Sequence, residues 1–171
     1  MFQIKPFFVI AGLCSLLALG GCGGGLDPNP GGNGPTTLSA RLSNSDFYDS
    51  PSSRYYDIFV ADALETGTAR VAMRSDDFDT QFYVYEKGSD GEYTLIDSND
   101  DADSSTTDSD DRFDVTYGNT YRILATSSLS DDQGSYQIRF SSELSKPAQV
   151  TTQDQVAKSS KKFSLPARSK K

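Results

Sequence analysis

The chain has 171 residues, a formal net charge of −8, no histidine and no tryptophan. This length allows one folded domain with attachments, and the missing histidine removes the commonest general base and imidazole metal ligand. Residues 22–144 carry 8 Lys and Arg against 23 Asp and Glu, whereas residues 145–171 carry 7 against Asp154 alone. An acidic body excludes a nucleic-acid reader built on the folded part. Cys14 and Cys22 both lie near the N-terminus, which excludes a disulfide framework.

The first 21 residues are arranged as an export signal. Lys5 precedes an apolar run from Phe7 to Leu19, which is too short to span a bilayer as a helix. The next residues, Gly20-Gly21-Cys22, complete a stretch that resembles a bacterial lipobox, in which the cysteine becomes the first mature residue and carries palmitate or similar acyl chains. An ordinary secretory peptide with an incidental cysteine is the alternative. Gly23 after the cysteine favours the outer membrane of a Gram-negative cell.

Three segments follow this signal. Residues 22–36 are rich in glycine and proline and predict a flexible tether. Residues 37–144 show repeated alternation of apolar and polar side chains and predict one folded domain. Residues 145–171 are basic and poor in apolar residues, which predicts a disordered tail that contacts the acidic body, an anionic surface or a partner.

The alternation within residues 37–144 has the period of two that is typical of strands. It predicts about eight half-buried antiparallel strands, separated by turn-rich segments. No stretch has apolar residues at helical spacing, so a parallel α/β sheet is excluded. The sequence therefore predicts an all-β fold, an antiparallel β-sandwich or jelly roll. The alternating segments are "RYYDIFVA", "TARVAMRS", "TQFYVYEK", "RFDVTYG", "TYRILATS" and "GSYQIRFS", with shorter candidates at residues 38–42 and 93–96.

The order of several short motifs resembles the bacterial pre-peptidase C-terminal domain, often called PPC. The resemblance covers residues 38–142 and rests on order and spacing, because each motif is short. The matching segments are "SRYYDIFVAD", "SDDFDTQFYVYEKGSDG", "DSNDDADS", "YGNTYRILATS" and "DDQGSYQIRFSS". The chain departs from the pattern by an extra residue, Asn119, after Gly118, and by a longer and more acidic aspartate loop. The resemblance implies a non-catalytic β-sandwich accessory to exported proteins, calcium-binding in some members.

Residues 97–111 contain seven aspartates and raise the question of a metal site. Calcium prefers oxygen ligands at alternate positions of a flexible loop, and a second acidic group precedes the central aromatic strand. An EF-hand is excluded, because Ala102 and Asp108 stand where glycine and glutamate are needed and no helices flank the loop. A calcium site and a purely solvated loop both remain open. The candidate ligands are Asp97, Asn99, Asp101 and Asp103, with Asp77 and Asp79 from the second group.

Aromatic residues and carboxylates supply the other candidate sites. Tyr83 and Tyr85 lie opposite Phe82 and Val84 on their strand and are the candidate surface pair for binding a ligand such as a sugar. Paired carboxylates serve glycoside cleavage only in a cleft that raises one pKa, and acids in open loops offer no such cleft. We therefore expect no enzyme activity.

These observations predict a lipid-anchored module of the cell envelope that binds or stabilises something and takes calcium in its aspartate loops. The expected partners are the membrane, through the anchor, and a protein or polysaccharide, but not nucleic acid. The alternatives are a surface adhesion or assembly factor, acting through the tail, and a carboxylate-based hydrolase.

Overall fold

The computed structural model describes residues 34–151 and 165–166. The predicted signal peptide, Cys22 and the tether up to residue 33 lie outside these residues. No helix in the described part of the chain is both long and apolar enough to cross a membrane. The described strands are β1 Thr36–Leu42, β2 Phe47–Asp49, β3 Arg54–Asp62, β4 Gly67–Arg74, β5 Thr80–Lys87, β6 Tyr93–Asn99, β7 Ser109–Val115, β8 Thr120–Ser127, β9 Gly134–Phe140 and β10 Ala148–Val150.

The strands form two antiparallel sheets, which confirms the predicted all-β sandwich. The four-stranded sheet has the order β1-β9-β4-β7, and the six-stranded sheet has the order β10-β3-β8-β5-β6 with β2 also beside β3. Consecutive strands often belong to different sheets, so that the chain crosses the sandwich repeatedly. Most pairings are therefore between strands distant in sequence, an arrangement that is associated with slow folding.

The main core lies between the two sheets and follows the predicted alternation. In β4, Val71 and Met73 are fully buried, and Ile138 and Phe140 of β9 lie beside them in the same sheet. The ring of Phe140 contacts that of Phe59 from β3, with centroids 5.7 Å apart. Each such fully buried side chain contributes about 1.5–3 kcal/mol relative to an exposed one, so this layer supplies most of the stability.

The six-stranded sheet is apolar on both faces. Its second face carries a separate cluster, formed by Phe47, Tyr56, Ile58, Tyr83, Tyr85, Leu124 and Leu165. In β3, the alternate residues Tyr56 and Ile58 belong to this second cluster, whereas Phe59 belongs to the main core. Strands that are buried on both sides have nearly continuous apolar sequences, as in the segment "YDIFVA".

The tail differs from the prediction of disorder at two places. Ala148–Val150 form β10, which pairs with β3 at the edge of the six-stranded sheet. Leu165 is buried within the second cluster. Residues 152–164 and 167–171 of the predicted tail lie outside the described residues.

A buried hydrogen bond joins the two sheets across the core. The Tyr136 hydroxyl of β9 donates to Asp57 Oδ2 of β3 at 2.6 Å, and Gln149 Nε2 donates to Asp57 Oδ1 at 3.0 Å. Burial raises the pKa of Asp57 to about 6 despite these two bonds, and the nearby Asp46 acts in the same direction. Asp57 is therefore easier to bury protonated than charged.

We predict that Asp57→Asn removes a component of stability that depends on pH. The folded chain holds the Asp57 proton up to about pH 6, whereas the unfolded chain loses it near 3.8. The stabilisation is thus fully present below about pH 4 and is lost as the pH rises through 6, by at most about 3 kcal/mol. Denaturant unfolding across this range should show the loss in the wild type but not in the variant. An equal loss of stability in the wild type and the variant would contradict the assignment. Asp114→Asn, which changes an exposed aspartate, is the control.

Candidate functional site

The outward side of the four-stranded sheet carries most of the cations of the folded domain. Its strands place apolar side chains inward, so the alternate positions point to solvent. Five of the 8 Lys and Arg residues between 22 and 144 lie at such positions, although that stretch is strongly acidic. We call this surface the arginine face. It consists of Arg41 on β1, Arg139 on β9, Arg70 and Arg74 on β4, and Arg112 on β7.

Strand register shapes the arginine face into a groove. Ala72 of β4 pairs with Arg139 of β9, and its small side chain leaves a depression of about 310 Å³. A more open depression of about 710 Å³ continues beside it, lined by Arg41 and Arg74. The two share Arg74 and Gln137, which pair across β4 and β9. Hydroxyl groups complete the lining, from Thr37, Ser39, Ser135 and Ser141.

The five guanidinium groups are neutralised to different degrees. Arg70 Nε donates to Asp110 Oδ1 at 2.6 Å, and this ion pair holds the pKa of Asp110 below its usual range. Arg74 Nε lies 3.5 Å from Asp108 Oδ2. Arg139 makes no side-chain hydrogen bond or ion pair with any other described residue. The ion pairs therefore compensate Arg70 and Arg74 but not Arg139.

This arrangement suits an anionic ligand that also offers hydroxyl groups. Guanidinium groups bind carboxylate, sulfate or phosphate oxygens through two parallel hydrogen bonds. Ser and Thr hydroxyls and the Gln137 amide both donate and accept, as sugar hydroxyls do. The floor is a flat sheet rather than a closed pocket, so an extended ligand fits better than a small compact one.

The aspartate loop links the two sheets and is held by Asn99. Asn99 Oδ1 accepts from the backbone N–H of Asp110 at 2.9 Å, and Asn99 Nδ2 donates to the Asp101 carbonyl at 3.1 Å. Below it, the buried Thr80 and Ser109 hydroxyls lie 2.9 Å apart. Asn99 is thus a structural clamp at the junction of β6 and β7.

The other predicted metal ligands are also engaged locally. Asp103 Oδ1 accepts from the backbone N–H of Ser105 at 2.7 Å, and Asp97 Oδ1 accepts from that of Ser98 at 2.8 Å. Partial burial raises the pKa of Asp97. Asp79 contributes its backbone carbonyl to the Ser128 N–H at 2.9 Å.

Asp77, from the second acidic group, is bonded to the start of β9. Asp77 Oδ2 accepts from the backbone N–H of Ser135 at 2.7 Å. A Cβ on Gly134 would lie 2.3 Å from Asp77 Cβ, so glycine is required for this approach. No three acidic or cysteine side chains in residues 34–151 lie together as a metal site requires. Calcium binding by the predicted ligands therefore stays a prediction.

Tyr83 and Tyr85 differ from the predicted exposed pair. Both rings are buried in the second cluster, and burial raises the pKa of Tyr85 to about 12. The Tyr83 hydroxyl donates to Gln81 Oε1 at 2.9 Å and accepts from the Arg54 guanidinium. The prediction assumed one solvated face, whereas Leu165 covers this face.

Solved structures with a similar fold include two bacterial domains. The pre-peptidase C-terminal domain of a collagenase from Bacillus anthracis is 9% identical with a TM-score of 0.42, over 61% of this chain and 87% of that chain. The mitogen derived from Yersinia pseudotuberculosis is 10% identical with a TM-score of 0.45, over 68% and 97%. No family model matches the chain, and no curated protein matches it in sequence. The first structure is of the type that residues 38–142 resemble.

We predict that Asn99→Ala lowers the free energy of unfolding by about 1–2 kcal/mol, because it removes two hydrogen bonds that close the aspartate loop. Thermal melting compared with Ser98→Ala, a change at an exposed neighbouring position, measures the effect. Equal melting of the two variants would show that Asn99 is not a clamp.

The same thermal melts, repeated in millimolar calcium, test the calcium prediction. A rise in the melting temperature with calcium that Asp101→Asn abolishes would establish calcium binding.

Proposed function

We propose that this chain is a non-catalytic binding module, displayed outside the cell on a lipid anchor, that holds an anionic polysaccharide on its arginine face. The observation that carries the proposal is the concentration of five arginines on one side of one sheet in an otherwise acidic domain. The groove beside Ala72 and the uncompensated Arg139 locate the proposed contact.

Charge distribution favours a polysaccharide over a more densely charged polymer. Asp76 lines the open end of the groove, and Asp110 and Asp114 lie outward on β7. These carboxylates repel a polymer such as nucleic acid, which carries a charge at every unit. A polysaccharide with spaced anionic groups places them over Arg139 and Arg41 and its hydroxyls over the serine and glutamine side chains between them.

The character of the described carboxyl groups supports a non-catalytic role. General acid catalysis needs a carboxyl with a raised pKa that reaches a substrate. Asp57 has such a pKa, but it lies in the core, bonded to Tyr136. Beside the groove, Asp110 has its pKa lowered by Arg70 and stays ionised. The arginine face is therefore equipped to bind rather than to transfer protons.

The lipid anchor follows from the sequence around Cys22. Two or three acyl chains hold a protein on a membrane durably, because each buried methylene contributes about 0.8 kcal/mol. The first described strand, β1, begins at Thr36. The anchor would thus keep the domain at the envelope surface, where anionic polysaccharide is found.

We predict that Cys22→Ser releases the chain from the membrane fraction, because the acceptor of the acyl chains is lost. Fractionation of the expressing bacterium, with mass spectrometry of the mature N-terminus, measures this. Cys14→Ser is the matched control, since residue 14 lies within the predicted signal peptide. Equal membrane retention of the two variants, or a mature chain without acylated Cys22, would contradict the anchor.

We predict that Arg139→Gln and Arg41→Gln each weaken binding of hyaluronate, a polysaccharide with a carboxylate on every second sugar, by about three- to tenfold, equivalent to about 0.7–1.4 kcal/mol. Arg112→Gln, on the same sheet but outside the groove lining, is the matched control. Affinity electrophoresis at increasing salt measures the effect, and binding should weaken as salt screens the charges.

Neutral dextran and sulfated dextran complete the experiment. Binding of sulfated dextran as well would show that anionic charge suffices. Equal loss in Arg112→Gln and Arg139→Gln would place the contact elsewhere on the sheet. Retention of all the polymers by every variant would contradict the arginine face as the binding surface.

A further inference from the structure

The second apolar face of the six-stranded sheet is covered by a residue from the far end of the chain. Leu165 is only 5% exposed and belongs to the same cluster as Tyr56, Tyr83 and Leu124. It lies 15 positions after Val150, the last residue of β10. An apolar face of this kind needs a cover in water, and Leu165 forms part of it.

A buried guanidinium group provides a second contact with the same segment. Arg54 is 3% exposed, and its Nη2 donates to the Pro166 carbonyl at 3.0 Å. Its other acceptors are the Tyr83 hydroxyl, at 3.2 Å from Nη1, the Gln81 side chain and the Ser127 carbonyl at 3.4 Å. A buried charge requires hydrogen-bond partners, so the Pro166 carbonyl stabilises the buried Arg54 guanidinium.

The Leu-Pro pair is suited to this position for a chemical reason. Proline has no backbone N–H, so docking of Pro166 leaves no unpaired donor against the sheet. It also restricts Leu165 to extended conformations, which lowers the entropy lost on docking. The Leu165 side chain packs in the apolar cluster, and the Pro166 carbonyl that follows it accepts a hydrogen bond from Arg54.

The length of chain between the two contacts allows docking within one molecule. β10 pairs with β3 at the edge of this same sheet. The 14 steps from Thr151 to Leu165 span up to about 45 Å when extended. This reach exceeds the width of a sheet of six strands, about 24 Å at ~4.8 Å per strand.

We propose that the second face of the six-stranded sheet is a peptide-binding site, and that its resident ligand is the chain's own Leu165–Pro166 segment. Arg54 and Tyr83 recognise the segment through the Pro166 carbonyl and the apolar cluster. Leu165–Pro166 is thus held on the domain as its resident ligand. A peptide with the same Leu-Pro chemistry competes with it.

The test uses the full chain and a labelled peptide of residues 160–171, followed by fluorescence anisotropy. In the Leu165→Ser chain the resident segment is weakened, so the peptide should bind at least tenfold more tightly than to the wild-type chain. A peptide carrying Leu165→Ser has the same charge and should bind to neither. Leu129→Ser, which alters an exposed leucine, is the control chain and should behave as wild type.

Three results would overturn the proposal. The first is equal binding of the peptide to the wild-type and Leu165→Ser chains. The second is equal binding of the two peptides, which would show that charge alone attracts the tail to the acidic body. The third is a wild-type dimer that the peptide dissociates, measured by sedimentation, which would place the segment on a second copy. Circular dichroism of the Leu165→Ser chain confirms that its strands remain.

Discussion

Alternation along β4 and β9 is the constraint on which both the core and the arginine face depend. Successive side chains of a strand point to opposite sides, so that burying Val71 and Met73 forces Arg70 and Arg74 into solvent. The same step in β9 buries Ile138 and exposes Arg139. A shift of register by one residue would move arginines into the core, where unpaired charges are very costly. The arginine face is therefore as fixed as the core beneath it.

The two sheets use this constraint differently. The four-stranded sheet has one apolar side and one polar side, which leaves its polar side available to a ligand. The six-stranded sheet is apolar on both sides, as Tyr83 and Val84 show by facing opposite clusters. Its outer side therefore needs covering by the chain itself, by Phe47 from β2 and Leu165 from the tail. The four-stranded sheet thus leaves one side exposed to solvent, whereas the six-stranded sheet has both sides covered.

The fold was predictable from the sequence because alternation is a local property. The eight predicted strands all occur, and only the three-residue β2 and β10 carry too short a pattern to detect. The arginine face left only a partial signal, the alternation of Arg70 and Arg74 with apolar neighbours, because its other members come from strands distant in sequence. The Leu165 contact was not predictable, since a single apolar residue in a basic tail has no periodicity. Burial of Tyr83 depends on that contact and was missed with it.

The position of the N-terminal attachment connects the groove with the proposed anchor. Pro35, directly before β1, lines the same depression as Arg139 and Ala72. The chain therefore enters β1 at one side of the groove. The flexible tether that the sequence predicts from Cys22 to Pro35 would have a root-mean-square length of about 20 Å. Under the proposed function, a polymer bound in the groove would be held within tens of ångströms of the membrane, at a high effective concentration for neighbouring copies of the chain. Several weak contacts between one polysaccharide and several anchored domains would then hold the polysaccharide more firmly than any single groove. Such multivalent binding suits a shallow, open face better than a deep pocket.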